Sequence, residues 1–156
     1  MKTKELTIIA LLIGLSLILS YVKFFGSIAL DSVPAFVALL LWKDYKAGLI
    51  GGIGHIFTAL TSGFIFGLFT HILIAILMFV MLFLAAKIIR KHSTIFTFIF
   101  ILFVNAFVMP FTIFIMTPFS MEMYISLVLM LSLAVIVNLS IAYVLYMSLN
   151  KVISND

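Results

Sequence analysis

Gly51-Gly52-Ile53-Gly54-His55-Ile56-Phe57-Thr58-Ala59-Leu60-Thr61-Ser62-Gly63-Phe64-Ile65-Phe66-Gly67-Leu68-Phe69-Thr70-His71 is the stretch on which the reading of this chain turns. It holds two of the three histidines in the sequence, His55 and His71, together with the hydroxyls of Thr58, Thr61, Ser62 and Thr70. The sequence on either side is strongly apolar. A polar group in hydrocarbon costs free energy unless it has a partner. This stretch therefore needs an explanation, either in a ligand or in helix packing.

The surroundings set the class. Of 156 residues, 66% are hydrophobic and 9% are charged. A soluble domain carries about 25% charged residues. The chain reads as an all-α integral membrane protein, a six-transmembrane-helix bundle at about 20 residues per span. There is no cysteine, which excludes disulfides and thiolate metal sites. The net charge of +4 does not point to nucleic acid. The basic residues stand at the ends of apolar segments, where they set orientation.

The apolar segments predict one transmembrane domain over residues 1–156, with spans at about 5–22, 32–42, 46–62, 65–89, 94–116 and 122–149. Asp31-Ser32-Val33-Pro34 reads as a helix start, a capping side chain followed by a proline whose missing N–H does no harm. Trp42-Lys43-Asp44-Tyr45-Lys46 is an aromatic and basic cluster of the kind found at a membrane interface. Pro110 is expected to kink the fifth segment and Pro118 to end it. With both termini cytoplasmic, Lys2, Lys4, Lys43, Lys46, Lys87, Arg90, Lys91 and Lys151 fall inside and only Lys23 outside. That bias fits the positive-inside rule and supports six spans.

In this orientation the third segment rises to a turn near Gly63 and the fourth descends from it. His55 and His71 each lie eight residues from that turn, about 12 Å below it at helical rise. Gly48, Gly51, His55, Thr58 and Ser62 follow helical spacing on one face. The glycine end of the stripe suits close helix packing. The polar end suits an outward-facing pocket, although His55 also fits an interior histidine bonded to a neighbouring helix. Asn105 and Asn138 come near mid-bilayer, either as an inter-helix clamp or as ligand contacts. Asp31 is either a helix cap or a ligand contact. Phe24, Phe25, Phe64 and Phe66 flank the outer loops and could cover a heterocycle. The candidate substrate-binding residues are thus Asp31, His55, Thr58, Ser62, His71, Asn105 and Asn138.

Two histidines without a carboxylate or cysteine at ligand spacing make a poor metal shell, so no metal or cofactor is expected. The sequence holds no hydrolase triad, no phosphate loop and no paired carboxylates on one face, so the chain is not expected to be an enzyme. Ala10 and Gly14, and Ser16 and Ser20, form small-residue pairs four apart on the first segment. Such pairs let helices approach closely in lipid, either within the chain or against a separate subunit.

Six spans, an inside N-terminus, the small-residue first helix and the outer polar groups together resemble the substrate-binding S component of an energy-coupling factor (ECF) vitamin transporter. Leu30-Asp31-Ser32-Val33-Pro34 and Gly54-His55-Ile56-Phe57-Thr58-Ala59-Leu60-Thr61-Ser62-Gly63-Phe64, followed by His71, are similar to S components proposed to take up α-ribazole, a cobalamin precursor. Ile65-Phe66-Gly67 departs from the proline-containing outer loop of that group. The resemblance implies a multi-pass protein of a prokaryotic cell membrane. It implies high-affinity binding of a vitamin or nucleoside in an outward pocket. It also implies docking, through a small-residue motif matched by Ala10 and Gly14, on a membrane coupling protein driven by two cytoplasmic ATPases. Another small heterocyclic vitamin remains an alternative cargo. Three rival readings are a stand-alone secondary transporter, a membrane enzyme built on the two histidines, and an assembly subunit without ligand. The first would need an ion-coupling carboxylate deep in the membrane, and none is found.

Overall fold

The computed structural model of the chain describes residues 3–24, 28–118 and 120–154, with backbone alone at Lys23, Phe24, Ile28 and 150–154. Lys2 and Phe25, and the side chains of Lys23, Phe24 and Lys151, lie outside what is described. In order, the elements are α1 (Thr3–Leu19), β1 (Lys23–Phe24), β2 (Ile28–Ala29), α2 (Val33–Trp42), α3 (Lys46–Thr61), α4 (Leu68–Ile88), α5 (Thr94–Phe103), a π-helical turn (Val104–Val108), α6 (Met109–Met116) and α7 (Met121–Ser154). The two short strands pair antiparallel, Lys23 opposite Ala29 and Phe24 opposite Ile28. The rest of the described architecture is helical.

Among the described residues, three helical stretches are long and apolar enough to cross a membrane: Leu68–Ile88, Thr94–Met116 and Met121–Leu149. The helices α1, α2 and α3 are shorter, at 17, 10 and 16 residues.

The centre of the bundle is α2. It is apolar on every face, which marks a helix enclosed by protein. Ala35, Phe36, Ala38 and Leu39 are fully buried, and α1, α3, α4 and α7 pack around them. Pro34 stands in the first turn, as the sequence predicts. The capping expectation for Asp31 is not met. Ser32 occupies the N-cap position without a side-chain cap bond, and the Asp31 carboxylate is engaged by α3 instead.

Glycines decide how closely α3 approaches its neighbours. A Cβ on Gly48 would lie 2.8 Å from the carbonyl oxygen of Phe79, and one on Gly52 would lie 3.0 Å from that of Ala75. A Cβ on Gly51 would run into Leu82. Gly48 and Gly52 seat α3 directly on the α4 backbone, and Gly51 makes room for the Leu82 side chain. Gly54 does the same for α1, since its Cβ would stand 3.1 Å from the Ser16 Cβ.

The two small-residue pairs of α1 therefore separate. Ser16 and Ser20 are buried against α3, with Ser20 Oγ 3.3 Å from Thr61 Oγ1. Ala10 is exposed and Gly14 has nothing within 4 Å of a built Cβ. At the other end of α3, Lys46 Nζ lies 2.9 Å from Asp44 Oδ2 and 3.4 Å from Glu5 Oε1, tying α1 to the α2–α3 corner. Arg90 Nε donates to the Lys43 carbonyl at 2.6 Å and braces the same corner from α4.

The fourth and fifth segments each differ in one detail from the sequence reading. The fourth segment begins at Leu68 and not near Ile65. Gly63, Phe64 and Gly67 all adopt positive φ, at 73°, 50° and 82°, so residues 62–67 form a turn that no helix can run through. In the fifth segment the adjustment to Pro110 lies just upstream, in the π turn. Proline offers no N–H and crowds the carbonyl four residues back. A single π turn is one way a helix absorbs such a fault. Thr117, before Pro118, is extended and ends the helix at Met116.

Candidate functional site

A cavity of about 190 Å³ lies between β2, the start of α2, α3, α4, the π turn, α6 and α7. Asp31, His55, Thr58, Ser62, His71, Asn105 and Asn138 all line it. They arrive from four separate parts of the sequence. His55, Thr58 and Ser62 share one face of α3 by their helical spacing. The turn at 62–67 then reverses the chain and brings His71, in the first turn of α4, back against His55.

The two imidazoles share a hydrogen bond, His71 Nδ1 to His55 Nε2 at 3.3 Å. Phe66 stacks on the His71 ring, with centroids 5.8 Å apart, and Phe64 meets it edge-on. His71 is buried, and its Nε2 has no partner.

The asparagines do not clamp each other. Asn138 Nδ2 donates to the carbonyls of Ala29 at 3.0 Å and Ala134 at 2.8 Å, which ties α7 to β2. Its Oδ1 is buried without a partner. Asn105 Nδ2 donates to the Ile101 carbonyl at 3.1 Å and contacts Met81 Sδ at 3.0 Å. The π turn that carries Asn105 is a common device at functional sites.

Asp31, in the loop before α2, accepts a hydrogen bond from Thr58 Oγ1 at 2.6 Å. Burial pushes its carboxyl above the ordinary carboxylate range, and the bond from Thr58 acts in the opposite direction. Among the described residues, no group of three histidines, cysteines or acids converges as a metal shell.

The remaining walls are apolar and fall at helical spacing from the polar residues. Ile74 and Met78 follow His71 by three and seven positions. Met109 and Ile113 follow Asn105 by four and eight. Leu131 and Ala134 precede Asn138 by seven and four. The sequence reading takes Met78 and Met109 as adaptable packing and places none of these residues, nor Ser32, which also lines the cavity, at the site. Extending each polar residue along its own helix face would have found the apolar ones.

The arrangement has the size and lining to suit a small, partly apolar guest with hydrogen-bonding groups, and no nucleophile and base stand in register among the described lining residues. The family described as ECF transporter, substrate-specific component, matches residues 4–155. No curated protein and no solved structure matches the chain. Substrate-specific components are substrate-binding membrane subunits that work with the other parts of an ECF module, and are not enzymes. The chain belongs to this family, the substrate-specific components of ECF transporters.

Proposed function

We propose that this protein is the high-affinity binding subunit of an ATP-driven importer for α-ribazole, and that the cavity is its binding site. The observation that carries the reading is that two of the three buried polar atoms without partners among the described residues, His71 Nε2 and Asn138 Oδ1, are on residues lining the cavity, the third being Ser16 Oγ on α1. A buried polar atom left unmade costs about 1–3 kcal/mol. Two of them at one cavity are what a polar ligand would satisfy. The apolar walls suit the dimethylbenzimidazole ring, and Thr58, Ser62 and Asn138 suit ribose hydroxyls.

In this reading the chain is one domain of six spans in a prokaryotic cell membrane, with both termini cytoplasmic and the cavity opening outward. The Ala10–Gly14 face of α1 meets a membrane coupling protein driven by two ATPases. Ala10 is exposed and a Cβ on Gly14 would meet nothing within 4 Å, while Ser16 and Ser20 are buried against α3, which supports that role.

Calorimetry on the purified protein with a panel of vitamins and precursors tests the assignment. Tight one-to-one binding of α-ribazole is expected. Tight binding of a different vitamin would replace the cargo and keep the site. Folded protein that binds nothing on the panel would make the polar stripe a packing feature of an assembly subunit.

A further inference from the structure

The hydrogen bond between the two histidines has a chemical consequence for whatever enters the cavity. A neutral imidazole carries one N–H and one bare nitrogen. If His71 Nδ1 donates to His55 Nε2, then His71 Nε2 is bare and His55 Nδ1 carries the hydrogen. If His55 Nε2 donates, then His71 Nε2 carries the hydrogen and His55 Nδ1 is bare. The two outer nitrogens are always opposite in kind, and they change together.

The rest of the cavity favours one of these states. Asn105 and Asn138 both have Nδ2 engaged by protein acceptors, and Thr58 gives its hydroxyl to Asp31. Flipping the Asn138 amide would set Oδ1 against two carbonyls, so that oxygen is a fixed acceptor. Beside the Ser32 and Ser62 hydroxyls, the buried and unpartnered His71 Nε2 is a position from which a ring N–H can reach an acceptor on the guest. The stacked Phe66 ring and the edge of Phe64 restrict rotation of the imidazole. Ile74 and Met78, one and two turns along α4, continue the same wall as an apolar surface for a flat ring.

We propose that His71 Nε2–H reads an unprotonated heterocyclic nitrogen of the ligand, that Asn138 Oδ1 takes a hydroxyl from the same ligand, and that His55 is a positioning residue that sets the His71 tautomer. This rests on the cavity being the ligand site. It narrows the substrate to a planar heteroaromatic ring with a bare ring nitrogen and a hydroxyl-bearing arm.

The test compares α-ribazole with its indole isostere, in which a C–H replaces the free ring nitrogen. The isostere is expected to bind the wild-type protein about ten- to a hundredfold more weakly, the loss of one buried hydrogen bond. His71→Gln, whose amide nitrogen can stand near the position of Nε2, should keep that ratio, and His71→Leu should bring it close to one. His55→Gln should keep it and His55→Leu should reduce it. Nitrogen-15 spectra of the bound wild-type protein should show His71 as the Nε2–H tautomer, and His55→Leu should shift it to a mixture. A merely structural His55 would leave that signature unchanged. Melting profiles in detergent establish that each variant is folded. Equal binding of the two compounds by wild type, an unchanged ratio in folded His71→Leu, or a bound Nδ1–H tautomer would overturn this inference alone. No binding isotherm for either compound would overturn it together with the α-ribazole assignment.

Discussion

Thr58 Oγ1 donates to Asp31 Oδ2 at 2.6 Å, joining the outer half of α3 to the loop that opens α2. The same hydroxyl lies 3.2 Å from the carbonyl of Gly54, one turn back on its own helix. Thr58→Val keeps the shape and removes the donor. It leaves a part-buried carboxylate without its side-chain partner on α3, and should destabilise the protein by about 1–3 kcal/mol. Thermal unfolding in detergent measures this, and an unchanged Tm would mean that water replaces the hydroxyl.

Asp31 also predicts a pH dependence. Burial raises its folded-state pKa above the ordinary 3.8. The folded chain then holds this proton more tightly than the unfolded chain does. The stabilisation from the protonated carboxyl is complete below 3.8 and is lost as pH rises through the raised value. Asp31→Asn cannot ionise, so its Tm relative to wild type should rise as the buffer is taken from about pH 4 to about pH 8. A difference that stays flat across that range would remove Asp31 as the titrating group.

Gly48→Ala places a methyl group 2.8 Å from the Phe79 carbonyl oxygen, a backbone atom that cannot swing aside. Forcing α3 off α4 should cost about 1–3 kcal/mol, the usual range for overpacking. Gly14→Ala meets nothing within 4 Å and should leave the Tm unchanged or slightly raised, since alanine is the better helix former. Equal melting temperatures for the two variants would contradict the packing described for α3.

A ligand that satisfies His71 Nε2 and Asn138 Oδ1 binds only the folded protein. At a free concentration a hundred times its Kd it should stabilise by about 2.7 kcal/mol. His71→Leu should reduce that shift without abolishing folding. Tm against ligand concentration reads both effects.

The polar half of the site was legible because a polar residue in hydrocarbon demands a reason. His55, Thr58, Ser62, His71, Asn105 and Asn138 were conspicuous for that alone, and all of them line the cavity. The apolar half was not legible as such. Met78 facing a cavity and Met81 facing a packed neighbour look the same in sequence, and only the helical offset from His71 separates them. The fate of each polar atom was also out of reach. An asparagine pair at matching depth suggested a clamp, but backbone carbonyls at Ile101, Ala29 and Ala134 lie closer to hand. The start of α4 was read three residues early because Ile65 and Phe66 are apolar enough to continue a helix. The positive φ angles of Gly63, Phe64 and Gly67 overrule that composition. Pro110 announced a fault in its helix, but not that a π turn upstream would absorb it.

Ser16 of α1 stands against Gly54 of α3, where an added Cβ would lie 3.1 Å from the Ser16 Cβ, while Gly14 presents open space on another side of α1. One rod thus carries a face where an added methyl group crowds the chain itself and a face where it meets nothing within 4 Å. If this face meets the coupling protein, Gly14→Ala should lower uptake while leaving ligand affinity and melting temperature intact. The helix supplies its own internal control for telling a misfolded subunit from an undocked one.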